Sequence, residues 1–207
     1  MEGYGLTECE GVCLPRYYET IKSGTIGKPR AGVEVILVDQ TGNEVETGSS
    51  GEVWVKSDSV MAGYWEDQEN TAKTFTDGWL KTGDLARLDE DGYFSFAGRI
   101  KELIIKGGSN VSPGEVEQVL DDHPQVVISG VIGAHDAHYG ELIHAFVEMK
   151  DGSQSSETVE QLKSYAAKKL AAYKVPDRWT LLEKLPINKV GKIDRTKLHT
   201  MAVMRDS

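Results

Sequence analysis

The segment GYGLTECEG, residues 3–11, places side chains of three different chemistries within five positions. Tyr4 offers a flat ring on which a base can stack, Thr7 offers a hydroxyl, and Glu8 offers a carboxylate. A hydroxyl beside a carboxylate suits a phosphate with Mg²⁺, because this ion prefers oxygen ligands. Gly5 permits close backbone approach. Ordinary turns contain the same residue types, so this segment alone does not decide a function.

A second polar set lies in DGWLKTGDLARLDEDGYFSFAGR, which ends at Arg99. Asp84 follows a Thr-Gly pair, and Lys101 comes two residues after Arg99. A carboxylate that accepts two hydrogen bonds suits the diol of a ribose. The alternative is an aspartate in a surface turn.

Two further segments could take part in chemistry. In LPINKVGKIDR, Lys192 follows a glycine on a predicted exposed loop, with Lys189 and Arg195 nearby. A solvated basic loop is the alternative. Gly107 and Gly108, in IIKGGSN, interrupt the predicted strand and suit a tight turn or a β-bulge.

The elements that position these residues change in type along the chain. The first half predicts strands at 33–39 and 51–57, a short helix at ENTAKTF, and two strands joined by the acidic turn Asp89–Gly92. The second half alternates strands with helices. Its strands are expected in ELIIKGGSN, at 126–132, at 142–150 and in RWTLLEKLP, and its helices in SPGEVEQVLDDHP, SSETVEQLKSYAAKKL and DRTKLHTMAV.

The helix that begins at Pro113 carries three start signals. Ser112 is a predicted N-cap, Pro113 is at the first helical position, and Glu115 is spaced to complete a capping box.

Composition excludes several classes of protein. The 207 residues carry 33 acidic and 23 basic side chains, for a net charge of -10, which argues against a broad nucleic-acid surface. The sequence has no apolar run of membrane-spanning length and no secretory signal pattern. These features favour a cytoplasmic location.

In their order and spacing the motifs resemble the ANL superfamily of adenylate-forming enzymes, and among its members the acyl-CoA synthetases. The matching stretches are YGLTE, GEVWVKS, GWLKTGDLARLDEDGYFSFAGRIKELIIKGG, NVSPGEVE, LAAYKVP and NKVGKIDR. They extend over almost the whole chain. In this family a carboxylic acid reacts with ATP to give an acyl-adenylate and pyrophosphate, and a thiol then displaces AMP.

The resemblance implies a role for each candidate residue. Tyr4 would stack on adenine, next to Gly5. Thr7 would contact phosphate, and Glu8 would help to hold Mg²⁺. Asp84 would bind the ribose hydroxyls with the help of Arg99. Further along the chain, Lys192 would be the catalytic lysine and Lys101 the hinge, and Gly107 and Gly108 would let the pantetheine arm of coenzyme A pass.

The resemblance also implies an α+β fold in two parts. Residues 1–98 are expected to be the β-rich end of the large AMP-binding domain. Residues 99–207 are expected to be the small mobile domain, with a short hairpin, a three-stranded sheet and flanking helices. The partners implied are ATP, a carboxylic acid, coenzyme A and the remainder of the large domain.

One departure from the family pattern limits the expected activity. The family's Ser/Thr/Gly-rich phosphate loop precedes the tyrosine motif and is not found in these 207 residues. We therefore expect the C-terminal portion of a longer ligase, inactive in adenylation by itself. Two alternatives stay open, namely a carrier-protein phosphopantetheine in place of coenzyme A, and a non-catalytic interaction or CoA-binding module.

Overall fold

The computed structural model describes residues 3–15 and 22–206 and divides the chain into two compact units. The first unit is Met1–Lys101 and the second is Glu102–Ser207. The sequence places its boundary between residues 98 and 99, three residues earlier.

The described residues of the first unit form two antiparallel sheets and one short helix. One sheet has the order β1-β2-β3, and the other has the order β4-β5-β7-β6, with β8 beside β7. The elements are β1 (Tyr4–Leu6), β2 (Cys9–Leu14), β3 (Lys28–Pro29), β4 (Val33–Val38), β5 (Ser50–Ser57), α1 (Gln68–Thr74), β6 (Phe75–Thr76), β7 (Trp79–Leu88) and β8 (Phe94–Arg99). The predicted strands, the short helix and the acidic turn of this half are therefore confirmed.

Alternating side chains of β5 and its neighbours form the core of this unit. Val53 and Val55 are buried on one face of β5, as the period of two in the sequence predicts. They pack with Leu37 from β4, Leu80 from β7 and Phe94 from β8. These contacts fix β7 and β8, the two strands that carry Asp84 and Arg99.

The second unit is one five-stranded sheet covered by helices. Its strand order is β10-β9-β12-β11, and β13 pairs in parallel with β12. The elements are β9 (Ile104–Lys106), β10 (Ser109–Val111), α2 (Pro113–Asp121), β11 (Val126–Asp136), β12 (Gly140–Met149), α3 (Ser156–Lys169), β13 (Arg178–Leu182) and α4 (Arg195–Asp206). The predicted hairpin and three-stranded sheet join into one sheet, through a pairing of Gly140 with Lys106.

Successive residues of β12 point to opposite faces of this sheet. Val147 belongs to the core cluster that includes Val116 and Leu120 of α2 and Leu162 of α3. Phe146 belongs to a second cluster, which includes residues of α4. In the described part of the chain, no helix has the length and apolar character needed to cross a membrane.

The capping box predicted at the start of α2 is wrong, although Ser112 is the N-cap residue and Pro113 begins the helix. The Ser112 side chain makes no capping hydrogen bond. The carboxylate of Glu115 accepts two hydrogen bonds from Lys174 Nζ, at 2.6 and 2.7 Å. The Glu115 side chain therefore forms a long-range ion pair with Lys174 and not the local capping contact that the sequence pattern predicts.

Candidate active site

A bulge in β7 sets the position of Asp84. Trp54 of β5 pairs with Lys81 and Glu52 pairs with Leu85, so the intervening Val53 faces three residues of β7. Gly83, in the middle of the three, has φ +70°, a conformation that favours glycine. Bulges of this kind redirect a side chain without ending the strand.

Neighbouring side chains hold the bulge in place. Thr82 Oγ1 donates to the carbonyl of Val53 at 2.8 Å and accepts from the Asp84 amide at 3.1 Å. Glu52 Oε1 accepts from the Gly83 amide at 3.0 Å, and its Oε2 accepts from the Trp54 indole at 2.9 Å. Sequence reasoning missed Glu52 because alternation along β5 predicts only a polar surface position there.

Asp84 is buried, at 7% exposure, and both of its carboxylate oxygens accept hydrogen bonds. Tyr4 donates its hydroxyl to Oδ2 at 2.8 Å, and Arg99 Nε donates to Oδ1 at 3.0 Å. The Arg99 contact follows from strand register, since Asp84 and Arg99 are directly paired across β7 and β8. The sequence alternative of a surface-turn aspartate is therefore wrong.

Burial raises the pKa of Tyr4 well above its ordinary value, and the Asp84 carboxylate adds to this effect. The hydroxyl therefore stays protonated and remains a donor at neutral pH. Asp84, Tyr4 and Arg99 together form a fixed polar group with one negative and one positive charge.

Thr7 and Glu8 form the two-residue turn between β1 and β2, beside this group. Thr7 is exposed. Glu8 Oε1 accepts a hydrogen bond from the hydroxyl of Tyr64 at 3.0 Å. A Cβ added at Gly5 would lie 2.8 Å from the Gly11 amide nitrogen, so the hairpin requires glycine at this position. Sequence reasoning missed Tyr64, which lies 56 residues from Glu8.

Two open cavities, of about 620 and 630 Å³, meet at these residues. Glu8, Asp84 and Arg99 line both of them. Lys73, Lys81 and Lys101 also line the first, and Tyr4, Thr7 and Phe96 also line the second. The floor of the cleft thus combines carboxylates with several cations, a composition suited to a ligand with both hydroxyls and phosphates.

These residues also fit Mg²⁺, which proteins bind through one or two carboxylates plus substrate phosphates. One oxygen of Glu8 accepts from Tyr64, so the second carboxylate oxygen can serve as a ligand. The exposed hydroxyl of Thr7 lies on the same turn.

Lys101 lies in a 3₁₀ turn, Ile100–Glu102, directly after β8. The boundary between the two compact units falls within this turn, after Lys101. The Lys101 side chain is exposed. Because few residues separate the units, any reorientation between them must use a small number of backbone dihedrals.

Gly107 and Gly108 form the two-residue turn of the β9–β10 hairpin. Their φ values are +56° and +82°, so the turn requires residues that tolerate the left-handed region. Both are exposed, and the Gly107 amide donates to the Tyr139 carbonyl at 2.8 Å. The structure thus contains the tight turn that the sequence left as one option.

Lys192 lies in an exposed hairpin-like loop before α4, as predicted. Ile187 and Ile193 form a bridge at the base of this loop. Asn188 Oδ1 accepts from the Lys192 amide at 2.9 Å, and the Asn188 amide donates to the Lys192 carbonyl at 2.7 Å. The Lys192 backbone is therefore fixed, and its ammonium has no ion pair with any residue that the structure describes.

The first unit thus brings Tyr4, Thr7, Glu8, Asp84 and Arg99 around one cleft. Lys192, Gly107 and Gly108 belong to the second unit, on two separate turns. Sequence reasoning also gave no role to Arg195, which binds two carboxylates at the start of α4.

Two family models match the chain. The model described as AMP-binding enzyme matches residues 1–65, and the model described as AMP-binding enzyme C-terminal domain matches residues 115–192. Both parts of the chain therefore match AMP-binding enzymes, and the resemblance to adenylate-forming enzymes that its motifs predict is confirmed.

Curated relatives carry two kinds of ligase name. A long-chain-fatty-acid–CoA ligase of Yersinia pestis is 41% identical over 96% of this chain and 35% of the ligase. The fatty acid–[acyl-carrier-protein] ligase ScoC of Streptomyces coeruleorubidus is 39% identical over 94% of this chain and 38% of that protein. The chain thus spans little more than a third of the length of these relatives.

A solved structure supports the fold. ATP-bound MatB from Rhodopseudomonas palustris superposes with a TM-score of 0.87 and 36% identity. The match covers 96% of this chain and 39% of that one. The predicted α+β fold class is therefore confirmed.

Proposed function

We propose that these residues form part of an AMP-forming acid–thiol ligase that makes an acyl-adenylate and then an acyl-CoA thioester. A carboxylate oxygen of the acid attacks the α-phosphorus of ATP, and pyrophosphate leaves. The sulfur of the thiol then attacks the acyl carbon, and AMP leaves. The observation that carries the proposal is the buried Asp84 carboxylate, held between Tyr4 and Arg99 at the floor of a cleft, in a chain of this family.

The Asp84 group would bind the nucleoside. Each carboxylate oxygen has more than one acceptor site, so the ribose hydroxyls can donate to Asp84 while Tyr4 and Arg99 hold it in place. The Tyr4 ring would stack on adenine, and its hydroxyl would keep the ring fixed beside Asp84. Because these side chains are already ordered before the ligand binds, binding would not have to include the cost of ordering them.

The turn at Thr7 and Glu8 would contact the triphosphate. Thr7 would donate its hydroxyl to a phosphate oxygen, and Glu8 would be a ligand for Mg²⁺, oriented by Tyr64. When bound, the metal ion neutralises phosphate charge during transfer.

Lys192 would act in the adenylation step. Negative charge develops on the oxygens between the carboxylate and the α-phosphorus, and an ammonium there stabilises the transition state. The fixed backbone of its loop limits where the ammonium can reach. With no carboxylate to compete among the described residues, the side chain is available for the substrate.

Lys101 would be the hinge between the two half-reactions. Rotation at this position would present Lys192 for adenylation, and then the turn at Gly107 and Gly108 for thiol transfer. The absence of side chains at this turn would let the thin pantetheine arm approach the backbone.

Two thiols are candidates for the second half-reaction. Coenzyme A is favoured by the motifs IIKGGSNVSPGEVE and YKVP and by the similarity to CoA ligases. A carrier-protein phosphopantetheine is the second candidate, favoured by the 39% identity to a fatty acid–[acyl-carrier-protein] ligase.

A chimera tests the proposal. This chain would replace the matching segment of the Yersinia pestis long-chain-fatty-acid–CoA ligase, and product would be measured with a long-chain fatty acid and ATP. Coenzyme A and a phosphopantetheinylated carrier protein would be supplied as rival acceptors. We expect acyl-CoA, AMP and pyrophosphate in equal amounts. A folded chimera without any AMP release would contradict the proposal, and thioester on the carrier protein alone would select the second candidate.

The 207-residue chain is the control for this experiment. We expect it to form no acyl-adenylate by itself, because it supplies the nucleoside contacts without the family's phosphate loop. Lysine-dependent adenylation by the chain alone would overturn that expectation.

A further inference from the structure

Arg195 lies three residues after Lys192 and connects the base of the lysine loop to two other elements. Its terminal nitrogen donates to Glu117 Oε2 of α2 at 2.9 Å. Its Nε lies 3.5 Å from Glu102 Oε2. Glu102 is the residue that follows Lys101, so one arginine side chain joins the lysine loop to the first residue of the second unit.

The Glu117 contact is the fixed one. The Glu117 side chain is only 13% exposed, and its other oxygen accepts from the Val131 amide of β11 at 2.7 Å. Burial raises the pKa of Glu117, and the Arg195 charge opposes this rise. Loss of Arg195 would leave a buried carboxylate without its cation, which is costly.

The Glu102 contact is the adjustable one. The Glu102 side chain is 32% exposed, and its 3.5 Å distance is that of an ion pair without hydrogen-bond geometry. Arg195 Nε is buried and makes no hydrogen bond to any described residue. A small shift of Glu102 would therefore form a hydrogen bond to Arg195 Nε or weaken the ion pair, and such shifts follow from dihedral changes at the adjacent Lys101.

The other contacts of the loop place its base firmly on the sheet. Asp194, the residue before α4, accepts from the Lys197 amide at 3.1 Å with its side chain. A Cβ added at Gly130 of β11 would lie 2.7 Å from Leu198 and 3.0 Å from Ile193, so the loop and helix approach the strand at a glycine. Arg195 is thus the polar member of a tightly packed base.

We infer that Arg195 is a positioning residue for Lys192 and that Glu102 couples it to the hinge. This inference rests on the proposed function. In the adenylation pose the Glu102 contact holds the loop that carries the lysine, and movement at Lys101 weakens that contact. Thiol transfer does not use Lys192 and is independent of the pair.

The primary test is Glu102→Gln, which removes one charge at a partly exposed site and spares the Glu117 pair. In the chimera described above, we expect acyl-adenylate formation to fall about 2–5-fold, the range of a partly exposed ion pair. Thioester formation from supplied acyl-adenylate should stay at the wild-type rate. The matched control is Asp122→Asn, which removes a carboxylate from a 3.7 Å pair with Lys169 elsewhere in the unit.

Arg195→Lys is a second test, because a lysine ammonium cannot contact both carboxylates with the geometry of a guanidinium. We expect the same selective loss, and no further loss when Glu102→Gln is added. An unchanged adenylation rate in Glu102→Gln, or equal losses in both half-reactions, would overturn the inference.

A readout in the 207-residue chain separates this inference from the proposed function. Amide hydrogen exchange at Lys192 and Asp194 should be faster in Glu102→Gln than in wild type or Asp122→Asn. Unchanged exchange would contradict the coupling, whatever the chimera does. A wild-type chimera without lysine-dependent adenylation would instead refute the proposed function.

Discussion

The cleft at Asp84 and the loop at Lys192 hold their charged side chains in different ways. Asp84 is buried, and both of its oxygens accept hydrogen bonds from residues of other strands. Lys192 is exposed on a loop whose backbone is hydrogen-bonded and whose ammonium pairs with no described residue. A group that binds a fixed part of the substrate can be held rigidly, whereas a group needed in one step only must be free to come and go.

This difference predicts that substitutions in the two regions have different effects on the free energy of unfolding and on the rates of the half-reactions. Changes at Asp84 should affect both the fold and nucleotide binding. Changes at Lys192 should affect one half-reaction and leave the fold intact.

The largest expected effect is at the loop. In the chimera, Lys192→Ala should slow acyl-adenylate formation roughly 10²–10³-fold, because it removes one electrostatic contact to the transition state. Thioester formation from supplied acyl-adenylate should be unaffected. Rapid-quench measurement of each half-reaction checks this, with Lys189→Ala as the control from the same loop. Equal losses in both halves would remove Lys192 from its assigned role.

Asp84→Ala should have the next largest effect, on both properties. Hydrogen bonds to a charged group contribute about 1.5–3 kcal/mol each, so the KM for ATP should rise roughly 10–100-fold. The hydroxyl of Tyr4 also loses its partner, which should lower the free energy of unfolding of the chain by about 1–3 kcal/mol. Urea unfolding and ATP titration of the rate measure the two effects.

An unchanged free energy of unfolding in Asp84→Ala would contradict the difference between the two regions. It would mean that the hydrogen bonds of Asp84 do not stabilise the fold. Wild-type KM for ATP would show that the cleft does not bind the nucleotide.

Lys101→Pro should give a smaller, severalfold effect that is greater in the second half-reaction than in the first. Proline fixes φ, so rotation about this backbone bond at position 101 is restricted. Thioester formation should therefore fall more than adenylation. Lys101→Ala, which leaves the backbone free, is the control, and single-turnover rates of the two halves are the measurement. Equal losses in the two half-reactions of the proline variant, relative to wild type, would count against a hinge at this position.

The smallest effect concerns the turn that brings Asp84 opposite Arg99. Asp89 accepts from Lys22 Nζ at 2.7 Å and from the Tyr93 amide at 2.8 Å. The Lys22 hydrogen bond is the main reason that the pKa of Asp89 lies below its ordinary value of 3.8. Asp89 therefore contributes stability that is fully present above that ordinary value and is lost as the pH falls through the lowered pKa.

NMR titration of the Asp89 carboxyl group measures this shift. We expect Lys22→Ala to move the midpoint upward toward 3.8, with no change in either half-reaction. A midpoint that does not move would exclude Lys22 as the main cause.

Patterns of adjacent residues predicted much of the fold. The alternation in β5 and the amphipathic spacing in α3 each reflect burial of one face, which a short window of sequence records. The loop of Lys192 was also predictable from a short window of sequence, because its polar residues and its glycine are contiguous. The predicted roles of the site residues come from resemblance and stay predictions.

Contacts between distant residues were not accessible in this way. The hydrogen bond from Tyr4 to Asp84 joins residues 80 positions apart. The capping box at Ser112 failed because Lys174, 59 residues away from Glu115, outcompetes the local contact. Charges that can form pairs in many combinations leave no local pattern, so only the fold selects the pair.

The most direct test of the central claim, that the Asp84 cleft binds the nucleotide, is an AMP titration of the 207-residue chain followed by ¹H–¹⁵N NMR. At about 10 mM AMP, tenfold above a millimolar dissociation constant, we expect amide shifts at Gly83, Asp84 and Arg99. Asp84→Ala should abolish them, and Lys192→Ala should leave them unchanged. Absence of shifts at these amides, or shifts that persist in Asp84→Ala, would contradict the account.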